Sequence, residues 1–148
     1  MNIDGVITFE LKEIDSNLGS VLHMLRNDAP GFVRFGEVYF SEVLPKSVKA
    51  WKRHLRQTQN ICVPIGRIRL VIFDPRMSSS TRGNLFEVEL GRPDAYLRIQ
   101  IPPGLWYGFK CLSETPALLA NCVDYPHELN EGLKMPIIGS EIPYSWEA

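Results

Sequence analysis

The stretch Val48–Arg76 reads VKAWKRHLRQTQNICVPIGRIRLVIFDPR, and its punctuation decides the fold. Three short apolar or alternating runs fall in or against it: Ser47–Trp51, Asn60–Pro64 and Ile68–Asp74. They are rich in Val and Ile and too short for helices, so they read as strands. Pro64 marks its strand as an edge or a bulge, because proline gives no N–H to a ladder. Outward from this stretch the same texture recurs in Gly36–Val43, Leu85–Leu90, Ala95–Ile101 and Ala117–Val123. The 11 Pro and 11 Gly are spread between these runs instead of gathering in a linker. Turn signals at intervals of roughly eight to twelve residues predict an all-β sandwich or barrel. One segment departs from the pattern: Leu18–Arg26 (LGSVLHMLR) reads as a short helix outside the barrel.

The chain has 148 residues, 45% hydrophobic and 22% charged, which suits one domain over residues 1–148 with a core of its own. It shows no repeat, charge block or low-complexity tract. Lys+Arg of 16 against Asp+Glu of 17 gives a net charge of −1, without the basic excess that non-specific nucleic-acid binding needs. No apolar run is long enough to span a bilayer as a helix. The opening MNIDGVITFELKEID has early acids and lacks the layout of a signal peptide, so a cytoplasmic protein is expected. Cys62, Cys111 and Cys122 fit no CxxC or disulfide framework and read as buried free thiols.

Two segments resemble the paired motifs of a cupin, a small jelly roll whose mouth holds ligands. The first such motif offers HxH, an acid and a turning glycine, and the matching letters here are Lys52, His54, Gln59 and Gly66. The second offers PxG and a further histidine, matched by Pro102-Pro103-Gly104 and Tyr107. A transition metal needs three or four imidazole or carboxylate ligands, and His54 alone remains of that set. An ammonium at Lys52 would also oppose a cation. Neither a metal nor another cofactor is therefore expected.

Longer stretches carry a closer resemblance. HMLRNDAPGFVRFGEVYFSEV, the Val48–Arg76 stretch, SSSTRG, IPPGLWYGF, LLANCVDYPHELNE and the terminal IPYSW together resemble the dTDP-4-dehydrorhamnose 3,5-epimerase family. The likeness runs from about Gly5 to Trp146 and is specific to the short branch that carries a WHxH motif. It implies a double-stranded β-helix (cupin jelly roll), a homodimer, and metal-free binding of a nucleotide-linked 4-keto-6-deoxy sugar. The reaction it implies is proton abstraction beside the ketone and return of a proton to the opposite face. That chemistry needs a base, an acid, and a donor or cation for the enolate oxygen.

The resemblance also maps roles, with departures. The family's base is the first histidine of WHxH, where this chain has Lys52. Its sugar-nucleotide arginine falls on Leu18, and the lysine that assists the base falls on Asn60. The family's acid, a tyrosine after the NC pair, falls in Tyr125-Pro126-His127.

Several readings stay open at this point. Lys52 is a base or Schiff-base nucleophile of lowered pKa, a cation for the diphosphate, or the remnant of a lost site. His54 lies two residues on, on the same strand face, as a substitute base, a ligand donor or a core histidine. Tyr107 is an acid or sugar donor, or a packed aromatic, and His127 and Tyr125 are the other candidate acids. His23 reads as structural. Lys49 and Arg56 are candidate diphosphate contacts, Asn60 and Tyr125 candidate sugar-nucleotide contacts, and Trp106, with Trp51 and Trp146, a candidate stacking platform. Arg53, Arg67 and Arg69 read as solvated charges, and Arg76 and Arg82 as rim residues. Strand alternation puts Lys49 and Arg53 on the face opposite Lys52. Asp74 and Asp124 are candidates to orient a histidine or lysine. The leading function is an epimerase or isomerase of a nucleotide-activated keto sugar in surface-polysaccharide or deoxysugar biosynthesis. The alternative is a degenerate cupin that binds a sugar nucleotide or serves in assembly, favoured by the joint departures at Leu18, Lys52 and Asn60.

Overall fold

The computed structural model describes residues 1–147. It is all-β, with the strands β1 (Ile7–Glu10), β2 (Glu13–Ile14), β3 (Val21–Leu22), β4 (Glu37–Val43), β5 (Val48–His54), β6 (Gln59–Ile65), β7 (Arg67–Phe73), β8 (Leu85–Gly91), β9 (Leu97–Ile101), β10 (Trp106–Cys111), β11 (Ala117–Val123) and β12 (Gly132–Lys134). Two five-stranded antiparallel sheets run in the orders β1-β9-β6-β11-β4 and β12-β5-β10-β7-β8. The chain passes back and forth between them, as a jelly roll requires. Gly66 makes one passage, from β6 to β7, at a φ of +77°. A Cβ there would lie 2.6 Å from the Cα of Ala117, so the turn admits only glycine.

The main core fills the space between the sheets: Ile61 and Val63 of β6, Ile68, Leu70 and Ile72 of β7, Ile99 and Ile101 of β9, and Leu119 of β11 are all buried. Alternation is plain in β4, where Tyr39, Ser41 and Val43 turn inward and Val38, Phe40 and Glu42 outward. Strands β6 and β11 are buried on both faces, because residues Leu11, Leu22 and Met24 pack over Cys62 and Ala120 on the outside.

Leu18–Arg26 is not helical. Ser16 Oγ donates to the carbonyl of Gly19, and a turn through Gly19 at φ +116° returns the chain so that β3 pairs with β2. Leu22 and Met24, two residues apart, then reach the same apolar patch, which is the spacing of an extended segment. Pro64 lies at a bulge in a central strand, where the register with β11 shifts between Leu118 and Ala120. All three cysteines are free and buried, and burial pushes the Cys62 thiol up to about 11.

Candidate active site

A cavity of about 520 Å³ opens between the two sheets on the side of β4, β5 and β12. Tyr39 and Ser41 of β4, Ile61 of β6, and Leu119 and Asn121 of β11 form one wall. Lys49, Trp51 and Lys52 of β5, Tyr107 and Phe109 of β10, Lys134 of β12, and Met135 and Pro136 after it form the other. Strand β5 thus lines the cavity, but not by simple alternation. In the β5–β10 ladder Lys52 opposes Tyr107 and Lys49 opposes Phe109, so Ala50 and Trp51 together stand against the single Gly108. This bulge corrects the alternation expected from sequence and brings Lys49 to the same cavity as Lys52. It depends on Gly108, whose missing Cβ would sit 2.4 Å from that of Ala50.

A continuous polar chain crosses the interior. Glu131 places Oε2 at 2.7 Å from His54 Nδ1, while its Oε1 accepts the backbone N–H groups of Arg56 and Gln57, each at 2.9 Å. His54 Nε2 lies 3.2 Å from the Tyr107 hydroxyl. That hydroxyl is 3.5 Å from Oε1 of Gln59, and Asn121 Nδ2 donates to the same oxygen at 2.6 Å and to Tyr39 Oη at 2.9 Å. Burial alone would raise the Glu131 carboxyl, but the bonds from His54 and the two amides outweigh it and hold the pKa below the ordinary value. An ionised Glu131 fixes the proton on Nδ1 and leaves Nε2 with a free lone pair facing Tyr107. Tyr107 is buried, and burial with the neighbouring Tyr39 and Glu131 keeps its phenol protonated well above its usual range. Lys52 moves the other way: partial burial, then Lys134 and Lys49, lower its pKa.

The other residues singled out from sequence lie as follows. His127 is exposed, and its backbone N–H donates to Glu37. Tyr125 is half-buried between the guanidinium groups of Arg34 and Arg56, at 4.6 and 4.1 Å from its ring. Arg56 itself is exposed and lies 3.6 Å from Glu128. Asn60 faces the outer side of its sheet, where its Oδ1 accepts from Arg98, and its neighbour Gln59 points inward to Tyr107. Trp106 packs with Trp51 and Trp146 in a second apolar cluster, under the guanidinium of Arg53. Leu18 is wholly exposed. Asp74 and Asp124 do not orient a histidine or lysine: Asp74 binds Arg76, Ser79 and Thr81, and Asp124 accepts the N–H of Thr58. Among the described residues no group of three His, Cys, Asp or Glu converges.

Sequence reading missed Glu131, Lys134, Tyr39 and Asn121. Asn121 had a signal, as the one amide in the otherwise apolar strand ALLANCV. Glu131 had none, since 77 residues separate it from His54.

No family model matches the sequence. A dTDP sugar isomerase from Desulfovibrio desulfuricans G20 has a solved structure that superposes with a TM-score of 0.95 at 51% identity, over 97% of this chain and 92% of that one. The probable low-salt glycan biosynthesis epimerase Agl13 of Haloferax volcanii is 34% identical over 130 residues, 86% of this chain and 81% of its own. The dTDP-4-dehydrorhamnose 3,5-epimerase of Bacillus anthracis, at 19% identity and a TM-score of 0.85 over 99% and 87% of the two chains, shares the fold. This chain belongs to the dTDP-4-dehydrorhamnose 3,5-epimerase family of cupin-type sugar-nucleotide epimerases and isomerases.

Proposed function

We propose that the protein epimerises or isomerises a nucleotide-activated 4-keto-6-deoxy sugar in surface-polysaccharide or deoxysugar biosynthesis, in the cytoplasm. The observation that carries this is the unbroken contact Glu131–His54–Tyr107, which reaches the cavity through Tyr107. His54 is the base unit, held in one tautomer by Glu131. Tyr107 lines the cavity in front of it, so the proton passes between the carbon beside the ketone and His54 Nε2 through the Tyr107 hydroxyl. The Lys52 ammonium, cross-strand from Tyr107, faces the same space and offsets the charge that develops on the enolate oxygen. Of the two candidate bases, this reading selects His54 over Lys52, because His54 has an orienting carboxylate and Lys52 is partly buried with like charges around it.

The test is solvent deuterium exchange into 4-keto sugar nucleotides, read by mass spectrometry. Unmodified protein should label the carbon beside the ketone, and His54→Asn should not. A panel in which the unmodified protein labels nothing would overturn the reading.

A homodimer fits the same reading. Strand β4 ends its sheet unpaired and turns Val38 and Phe40 outward at 48% and 65% exposure. Such an apolar edge is normally covered, and a second copy supplies the cover. Phe40→Glu should convert a sedimenting dimer to monomer, and an unmodified chain that sediments as a monomer at micromolar concentration would count against it.

A further inference from the structure

To invert a centre, the protein needs a proton donor on the sugar face that its base does not reach. Of the acids expected from sequence, Tyr107 belongs to the relay in front of His54, and neither Tyr125 nor His127 lines the cavity. A second phenol does. Tyr39 projects into the cavity from β4, in the sheet that faces Tyr107 and Lys52.

The direction of its hydroxyl hydrogen follows from the amides behind it. The backbone N–H of Asn60 donates to Asn121 Oδ1 at 3.1 Å, which leaves Nδ2 as the free end of that amide. Nδ2 donates to Tyr39 Oη at 2.9 Å and to Gln59 Oε1 at 2.6 Å. Further along, the carbonyl of Tyr125 accepts Gln57 Nε2, and Gln57 Oε1 accepts Gln59 Nε2. The Asn60 N–H at one end and the Tyr125 carbonyl at the other thus hold every amide of the chain in one orientation. Tyr39 Oη is an acceptor in its only hydrogen bond among the described residues, so its own hydrogen is left for a ligand. Burial above all, offset in part by the Asn121 bond, keeps this phenol protonated above its usual range.

From this arrangement we infer that Tyr39 is the acid that returns a proton to the carbon beside the ketone, on the face opposite the Tyr107–His54 relay. The inference rests on the reading of the cavity as the epimerase site and deepens it. The relay takes the C–H proton to His54 Nε2 and leaves an enolate. The Tyr39 O–H bond then breaks as a C–H bond forms on the other face and the ketone is restored. The phenolate keeps the electron pair and is held by the Asn121 N–H. Solvent in the open cavity reprotonates Tyr39 and takes the proton from His54, so protons balance over the cycle.

The test separates proton removal from inversion. The unmodified protein, Tyr39→Phe and His54→Asn are each incubated with dTDP-4-keto-6-deoxyglucose in heavy water. Label is read by mass spectrometry, and configuration by proton NMR coupling constants. Tyr39→Phe keeps the ring in the cavity wall and removes only the hydroxyl. It should take up label within about threefold of the unmodified rate, because the relay still removes the proton and returns a deuteron to the same face. Inverted product should form at least about 10²-fold more slowly, the size of a lost general acid. Label uptake by the variant is itself the proof that it folds and binds. His54→Asn should neither label nor invert. A Tyr39→Phe variant that inverts as fast as its parent overturns the acid and leaves the epimerase reading in place. So does a folded variant that loses label and inversion in parallel, which would put Tyr39 in proton removal. Label without inversion by the unmodified protein would mean that no second face is used, and Tyr39 would lose its role while His54 kept its own. No label at all with the unmodified protein would overturn the epimerase reading, and the acid with it.

Discussion

His54 Nδ1 stands 2.7 Å from Oε2 of Glu131, with the two side chains only 12% and 8% exposed. A carboxylate so enclosed does more than attract: it decides which imidazole nitrogen carries the proton, and hence which one is free to accept one. Glu131→Gln keeps the size and can still accept the amides of Arg56 and Gln57 with its carbonyl oxygen. Its NH₂ group then faces Nδ1 and reverses the tautomer. The exchange rate should fall by about 10²–10⁴-fold, as expected where a carboxylate orients a histidine base, far more than the modest loss of stability at pH 7 that goes with the lost carboxylate would explain. Equal rates for the two proteins would exclude Glu131 as the positioning residue.

Tyr107 supplies a separate test of the same chain. Tyr107→Phe removes the hydroxyl between His54 Nε2 and the cavity and leaves the ring in its packing. Label uptake should drop by about 10²-fold or more, the usual size of a lost acid or base contribution, with dTDP affinity within about twofold of the unmodified protein. A variant that exchanges normally would show that His54 reaches substrate directly.

These two residues also show where sequence reading succeeds and stops. His54 and Tyr107 lie in recognisable motifs, and the short runs around them give the all-β jelly roll, because strand period and turn letters are local properties. Lys49 was assigned to the wrong face, since a bulge set by Gly108 in another strand resets the alternation. The helix expected at Leu18–Arg26 fails for a related reason: its apolar letters suit a short helix locally, but the face that Leu22 and Met24 cover belongs to β6 and β11, far off in sequence. Glu131 and Lys134 become part of the site only because β12 pairs with β5. Such pairing is a tertiary fact that no spacing encodes.

Gly108 should be intolerant of even one added carbon. Its Cβ would lie 2.4 Å from Ala50 Cβ and 3.0 Å from Trp146 Cζ2, so the β5 bulge or the C-terminal aromatic must move. Gly108→Ala should lower stability by about 1–3 kcal/mol, the range for overpacking a filled site. It should also disturb the Lys49–Lys52 spacing and weaken dTDP binding. Chemical denaturation that finds the variant as stable as its parent would mean that the bulge relaxes freely.

Acid should destabilise the fold through two buried carboxylates. Burial would raise Asp74, but bonds from Arg76, Ser79 and Thr81 prevail and lower it far below 3.8. Glu131 is lowered from 4.5 by His54 and two amides, again against its burial. A carboxyl with a depressed folded pKa lends stability that is complete above its ordinary value and is lost as pH falls toward the folded one. Neither group should make the melting temperature vary between pH 7 and pH 5.5, and both should contribute to a steep fall below about pH 4.5. Asp74→Asn should lower the melting temperature at pH 7 and flatten that acid slope. A slope as steep as before would place its origin elsewhere.

Lys52 should reveal a conflict between binding and stability. Its folded pKa is lowered by partial burial and then by Lys134 and Lys49, so the charged form is less favourable in the folded chain than in the unfolded one. The sign is opposite to that of the carboxyls. The cost is fully present below the folded value and vanishes as pH rises through the ordinary value of 10.5. Lys52→Gln removes the charge and keeps most of the length. In low salt at pH 7 it should melt about 1–3 °C higher than its parent, a small shift because the side chain is partly in water. The advantage should shrink as salt screens the cluster and as pH approaches 10. Saturating dTDP should reverse the order if the nucleotide's anion lies on the cluster, since binding then stabilises the parent more than the variant. Matching melts at low and high salt would show that Lys52 feels no net repulsion from Lys49 and Lys134. The three lysines would then be separate surface charges, and the cavity wall would hold no strained cation for a ligand to relieve.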